Sequence, residues 1–143
     1  MHAKSPVASE APARILALVV AANGRIDDSE LRTLDGLEAY RRLGVKRERF
    51  IELSQHCLEE IGTSLCEQSW LRMSDMLYIN ALLGQVDDPA KRLLVCRLAA
   101  GVITADGRVS KDERRVYDHI LGHWQISQPM VTDAILHDHD HAH

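Results

Sequence analysis

Aromatic side chains are scarce in this chain of 143 residues, which holds one Phe, two Trp and three Tyr. Its core must therefore be built mainly from Leu, Val, Ile and Ala. Glycine and proline are few and stand at punctuation points, which argues against a fold of short strands and tight turns. Cysteine occurs only at Cys57, Cys66 and Cys96, an odd number without CxxC spacing. A disulfide framework is not expected, a reducing compartment is, and Cys57 reads as a small apolar filler. No apolar run approaches the roughly 18–20 residues that span a bilayer. The net charge of −4 gives nucleic acid no basic excess to bind.

What the chain does have is an internal repeat, which fixes architecture before any single residue does. Residues 14–32 (RILALVVAANGRIDDSELR) align with residues 97–115 (RLAAGVITADGRVSKDERR). Ala22, Asn23, Gly24 and Arg25 fall on Ala105, Asp106, Gly107 and Arg108, and Glu30 falls on Glu113. Each copy reads as an apolar helix, an Asn/Asp-Gly turn that accepts positive φ, and a second helix opened by carboxylates.

Apolar spacing predicts a first helix over about 9–22, with Pro12 tolerated in its opening turn. Its apolar residues cover most of the circumference, so it is expected to be central. A second helix carries Leu31, Leu34, Leu37 and Tyr40 in one stripe and ends at Gly44. A third places Phe50, Leu53, Cys57 and Ile61 on one face, with His56 pointing away. A fourth, over about 69–83, contains Trp70, Met73, Met76, Leu77 and Leu82. Asp88 followed by Pro89 opens a fifth, which continues to Thr104. The sixth turns Tyr117, Ile120, Leu121 and Trp124 inward. Ser127 caps a short last helix with Met130, Val131, Ala134, Ile135 and Leu136. Leu43, Gly44 and Val45 correspond loosely to Trp124, Gln125 and Ile126, which extends the repeat to three helices per half. The expectation is an all-α bundle of roughly seven helices with pseudo-two-fold duplication, a linking helix between the halves, and the first and fifth helices at its centre.

Residues 1–8 read as a flexible leader, 9–136 as the helical domain and 137–143 as a flexible His/Asp-rich tail. Lys4 and the apolar residues 15–22 have the outline of a signal peptide. The run is short, however, flanked by Glu10 and Arg14, and the same helix recurs internally before Asp106. A soluble, cytoplasmic protein is expected.

Both turns resemble the second half of an EF-hand loop, Asp106 to Glu113 in one copy and Asn23 to Glu30 in the other. Calcium takes about six to eight oxygens, and an EF-hand has carboxylates at its first and third positions. Those places hold Val19 and Ala21 here, and Val102 and Thr104 in the second copy, so neither turn is a complete site. Two readings stand. In one, Asp27 and Ser110 are helix caps and Glu30 and Glu113 complete capping boxes. In the other, Asn23, Asp27, Glu30, Asp106, Ser110 and Glu113 gather around one divalent cation across the pseudo-two-fold axis, with Asp28 and Asp112 adding oxygens.

A doubled pattern Ala-[Asn/Asp]-Gly-Arg-[Ile/Val]-[Asp/Ser]-x-x-Glu after an apolar helix resembles the tellurite-resistance TerB-like family. It is also similar to the N-terminal region of a membrane-anchored DnaJ-type co-chaperone. The resemblance covers about residues 9–136. It implies a roughly seven-helix fold with an acidic surface proposed for divalent metal, and a non-enzymatic role among the proteins of a stress-response or envelope-associated assembly. Carried onto this chain, the motif positions are Asn23, Gly24, Asp27 and Glu30, then Asp106, Gly107, Ser110 and Glu113. Asn23 departs from the family's Asp and removes one negative charge.

Other features lie outside that pattern. His137, His139, His141 and His143 alternate along the tail, and in an extended chain they would share one side and suit Zn, Ni or Cu. His119 and His123 are four residues apart on the solvent side of their helix. Arg41, Arg42, Lys46, Arg47 and Arg49 form a basic stretch, either a solvated helix end or a dock for an acidic partner. There is no phosphate-binding Gly-rich loop, HExxH or nucleophile elbow, and no enzyme is expected. The function expected is divalent metal binding at the acidic turns, calcium foremost, in a stress-response module. The alternative is an interaction or scaffold domain whose turns are caps alone.

Overall fold

The computed structural model describes residues 6–22, 26, 28–59, 73–105 and 111–140. Every regular element among them is a helix. In chain order these are α1 (Pro6–Ala21), α2 (Asp28–Gly36), α3 (Ala39–Leu43), α4 (Arg47–Cys57), α5 (Met73–Gly84), α6 (Pro89–Thr104), α7 (Lys111–Trp124) and α8 (Gln128–Asp140). The all-helical class matches expectation, with eight helices among the described residues where seven were expected.

An apolar helix without a polar face must be surrounded, and α1 is. Ala11, Ala13 and every residue from Ile15 to Ala22 are buried. Around α1 pack α3, α4, α5, α6 and α7, and α6 in turn carries α2, α7 and α8. The first and fifth expected helices, here α1 and α6, do meet at the centre. Among the described residues, no helix is long and apolar enough to cross a membrane.

Helix α1 starts earlier than expected, which puts Pro12 well inside it. Pro12 cannot donate to the carbonyl four residues back, a defect that ordinarily weakens a helix. Burial of nearly every neighbour compensates. On the partly exposed side of α1, Glu10 accepts from Arg49 of α4 through both oxygens, at 2.6 and 3.0 Å. Arg14 adds a 3.4 Å bond to the same carboxylate. The Arg49 guanidinium holds the Glu10 carboxyl below its ordinary value, against the opposing effect of burial.

The second expected helix is broken into α2 and α3. Glu38, between them, adopts a left-handed backbone at φ 55°. The break turns Tyr40 onto Phe50 of α4, with ring centroids 5.3 Å apart, while its hydroxyl donates to the Leu31 carbonyl at 3.4 Å. Gly44, at φ 78°, stops α3, and Val45 N–H donates back to the Tyr40 carbonyl at 3.0 Å. Gln125 stops α7 in the same way at φ 56°, with Ile126 N–H donating to Leu121 at 3.0 Å. Both stops are the left-handed reversal that commonly ends helices.

Asp88 caps α6 as expected, its Oδ1 accepting from Ala90 N–H at 2.9 Å ahead of Pro89. Phe50, Leu53 and Cys57 are buried on α4 and His56 is exposed, while Ile61 lies outside the described residues. On α5 Ile79, Leu82 and Leu83 are buried, but Leu77 is 64% exposed. Trp124 closes the α5–α7 junction by donating Nε1–H to the Leu83 carbonyl at 3.1 Å.

Candidate functional site

Each apolar helix ends in the same manner at equivalent positions of the repeat. Ala22 N–H donates to Val19 at 3.2 Å after α1, and Ala105 N–H donates to Val102 at 3.2 Å after α6. The chain then re-enters a helix whose third residue is glutamate: Glu30 in α2 and Glu113 in α7. Both are enclosed, at 2% and 3% exposure. The glutamate-bearing helices share a neighbour, since α2 and α7 both pack on α6.

A carboxylate withdrawn from water requires compensation by hydrogen bonds, cations or a metal. Within each pair of oxygens, Oε2 is buried and accepts no hydrogen bond, and both residues have other interactions within the protein. Asn23, Gly24, Asp27, Asp106, Gly107 and Ser110 lie outside the described residues. Of the six core ligands expected, Glu30 and Glu113 are therefore the two with described positions. No group of three or more His, Cys, Asp or Glu able to hold a metal occurs among the described residues. A hard cation such as calcium takes oxygen ligands, which the turn residues and these glutamates all supply.

The last helix extends into the expected tail. Helix α8 runs through Asp140, so His137 stands on a helix, where alternate positions fall on opposite sides of the axis rather than on one. His137 is exposed. The side chains of His139, His141 and His143 lie outside the described residues.

His119 is half-buried rather than solvated. Its Nε2 lies 2.8 Å from Asn80 Oδ1 on α5, so the Nε2–H tautomer donates across the α5–α7 contact. Its ring stacks on His123 with centroids 6.1 Å apart. Burial first, and the charge of His123 second, hold the His119 imidazole below its ordinary value of 6.5. The folded state thus favours the neutral ring. The stability this contributes is complete above about pH 6.5 and lost as pH falls through the depressed folded value. Melting followed by circular dichroism from pH 7.5 to 5 should show a decline that is shallower in His119→Gln, which keeps an N–H for Asn80. An identical slope in the variant would assign the decline to other groups.

The basic stretch is largely matched by its own carboxylates. Arg41 donates to Glu38 at 2.6 Å, Arg47 to Asp35 at 3.0 Å, and Arg49 to Glu10 and to Glu52 at 3.2 Å. Such exposed pairs contribute little stability, but they reduce the attraction of this end for an acidic partner. Cys57 and Cys96 are buried and stand outside any disulfide. Burial pushes the Cys96 thiol up to about 12, so it stays protonated and inert.

Sequence reasoning passed over Arg97. It is 7% exposed and lines a groove between α6 and α8 together with Arg42. The available signal was a single guanidinium inside the apolar run LLVCRLAAGVI. Compared with protein families, curated proteins and solved structures, the chain matches none.

Proposed function

We propose that this chain is an internally duplicated, TerB-like helical module that holds a divalent cation at its two acidic turns and serves, without catalysis, in a stress-response assembly. The observation that carries the reading is the burial of Glu30 and Glu113, two carboxylates at the same position of matching helices. The duplication is supported by the like endings of α1 and α6 and the like left-handed stops at Gly44 and Gln125. It is supported also by packing, since α4 lies on α1 as α8 lies on α6, and α2 lies on α6 as α7 lies on α1. Asn23, Asp27, Asp106 and Ser110 would supply the further oxygens, and the ion would tie the two halves together.

Calcium titration of the chelator-treated full chain tests this. A ligand at a hundred times its Kd stabilises by about 2.7 kcal/mol, which for a domain of this size raises Tm by about 5–10 °C. The rise should persist when His137, His139, His141 and His143 are all changed to Asn, which leaves the last turn of α8 in place. No rise with calcium, manganese or zinc in that variant would overturn the reading.

One observation favours the alternative, an interaction or scaffold domain with purely structural turns. Because α2 opens at Asp28 and α7 at Lys111, Glu30 and Glu113 stand in capping-box register with Asp27 and Ser110.

A further inference from the structure

We propose that the groove between α6 and α8 binds a single-chain amphiphile with an anionic head, of which a medium-chain carboxylate is the simplest form. The groove has two hollows. One, of about 400 Å³, is walled by Leu93, Leu94 and Ala134 beside Met130. The other, of about 330 Å³, ends at Trp124 and Ile126. Both are bounded by Ala90, Leu93 and Met130, so they form one apolar trough. Met130 is 45% exposed, a flexible side chain able to lie along an alkyl chain.

Charge gives the trough a direction. Arg42 and Arg97 line its first hollow, and Lys91 Nζ stands 3.3 Å from the Arg42 carbonyl at the same rim. Asp133 is the acidic residue among that hollow's lining, which also includes His137. This end is therefore basic on a chain whose net charge is −4. Arg42, Arg97 and His137 have interactions within the protein, so the preference for an anion rests on the balance of lining charges. At the other end Arg92 also lines the hollow, as the one charged residue of its lining against the two arginines of the first. It donates to the Val86 carbonyl at 2.6 Å and covers the Trp124 ring at 5.6 Å, so its guanidinium is already engaged there. The head group thus belongs beside Arg42 and Arg97, with the chain running past Leu93 and Met130 toward Trp124. Pockets of a few hundred cubic ångströms with apolar walls and a few placed polar groups are the usual form of small-molecule sites.

Glu30 and Glu113 do not line either hollow, so this inference fails or holds independently of the metal reading. Isothermal titration of the full chain with octanoate, decanoate and dodecanoate, each below its micelle concentration, tests it. Saturable one-to-one binding is expected, with affinity rising about three- to fourfold per added CH₂. Decanoate should bind at least tenfold better than decyltrimethylammonium. Arg42→Gln should weaken decanoate about tenfold and leave decanol unchanged. Ala134→Phe, which fills the groove, should abolish binding of both while the far-ultraviolet spectrum stays native. Absence of saturation, equal binding of the cationic amphiphile, or indifference to both substitutions would overturn the proposal. So would a dimer, seen by sedimentation, that Ala134→Phe dissociates while carboxylates go unbound, because the occupant would then be a second copy.

Discussion

Phe50→Ala is expected to destabilise the protein by about 3–5 kcal/mol, the range found for removing a buried aromatic ring. For a domain of this size that lowers Tm by about 10 °C or more. Phe50 is the single Phe of the chain and is fully buried. It stands where α4 meets α1 and where the tilted Tyr40 ring, at 52° between planes, closes over it from α3. Removing the ring opens a void bordered by three helices, and the turn before α3 limits how far Tyr40 can follow. The Arg49–Glu10 bonds between the same helices cannot compensate, because Arg49 is partly exposed and such pairs are worth little. Urea unfolding at neutral pH measures the effect. A loss below about 1 kcal/mol would mean that the α1–α4 contact repacks freely and that α1 is less firmly enclosed than its burial implies.

The parts of this fold legible in the sequence were those set by local chemistry. The all-round apolar character of residues 15–22 placed α1 at the centre, and Asp88 followed by Pro89 marked the start of α6 to the residue. The loose match of Gly44 with Gln125 corresponds to two helix stops of one geometry, although Gln125 lacks the glycine that usually announces a left-handed backbone. The break at Glu38 was not legible. A helical stripe continues through Leu37 and Tyr40, and the left-handed residue is held by tertiary contacts of Tyr40 with Phe50 and Leu31. The half-burial of His119 was hidden for a similar reason, since it depends on Asn80 in a separate helix. In the candidate site, spacing alone marked Glu30 and Glu113. Their enclosure depends on how α2 and α7 pack against α6, which no local pattern encodes. The α6–α8 groove likewise exists only once those two helices meet.

Enclosure is what makes the glutamates decisive, because glutamine separates their two possible duties. A capping box accepts Glu or Gln alike at its third helical position, whereas a calcium site depends on carboxylate charge. Glu30→Gln with Glu113→Gln should therefore leave the chelator-treated protein within about 1 kcal/mol of the parent, since the caps survive and two buried charges are removed. With saturating calcium the same variant should lack the rise of about 5–10 °C expected for the parent. Glu30→Ala with Glu113→Ala should lose both properties, melting lower even in chelator because each lost cap costs about 0.5–2 kcal/mol. The comparison is read by differential scanning calorimetry of the three proteins with and without calcium. If parent and glutamine variant melt alike in calcium, the carboxylates are caps and the metal reading is wrong. If the glutamine variant loses the shift while its chelated melting is preserved, and the alanine variant loses both, charge rather than capping accounts for the burial of Glu30 and Glu113.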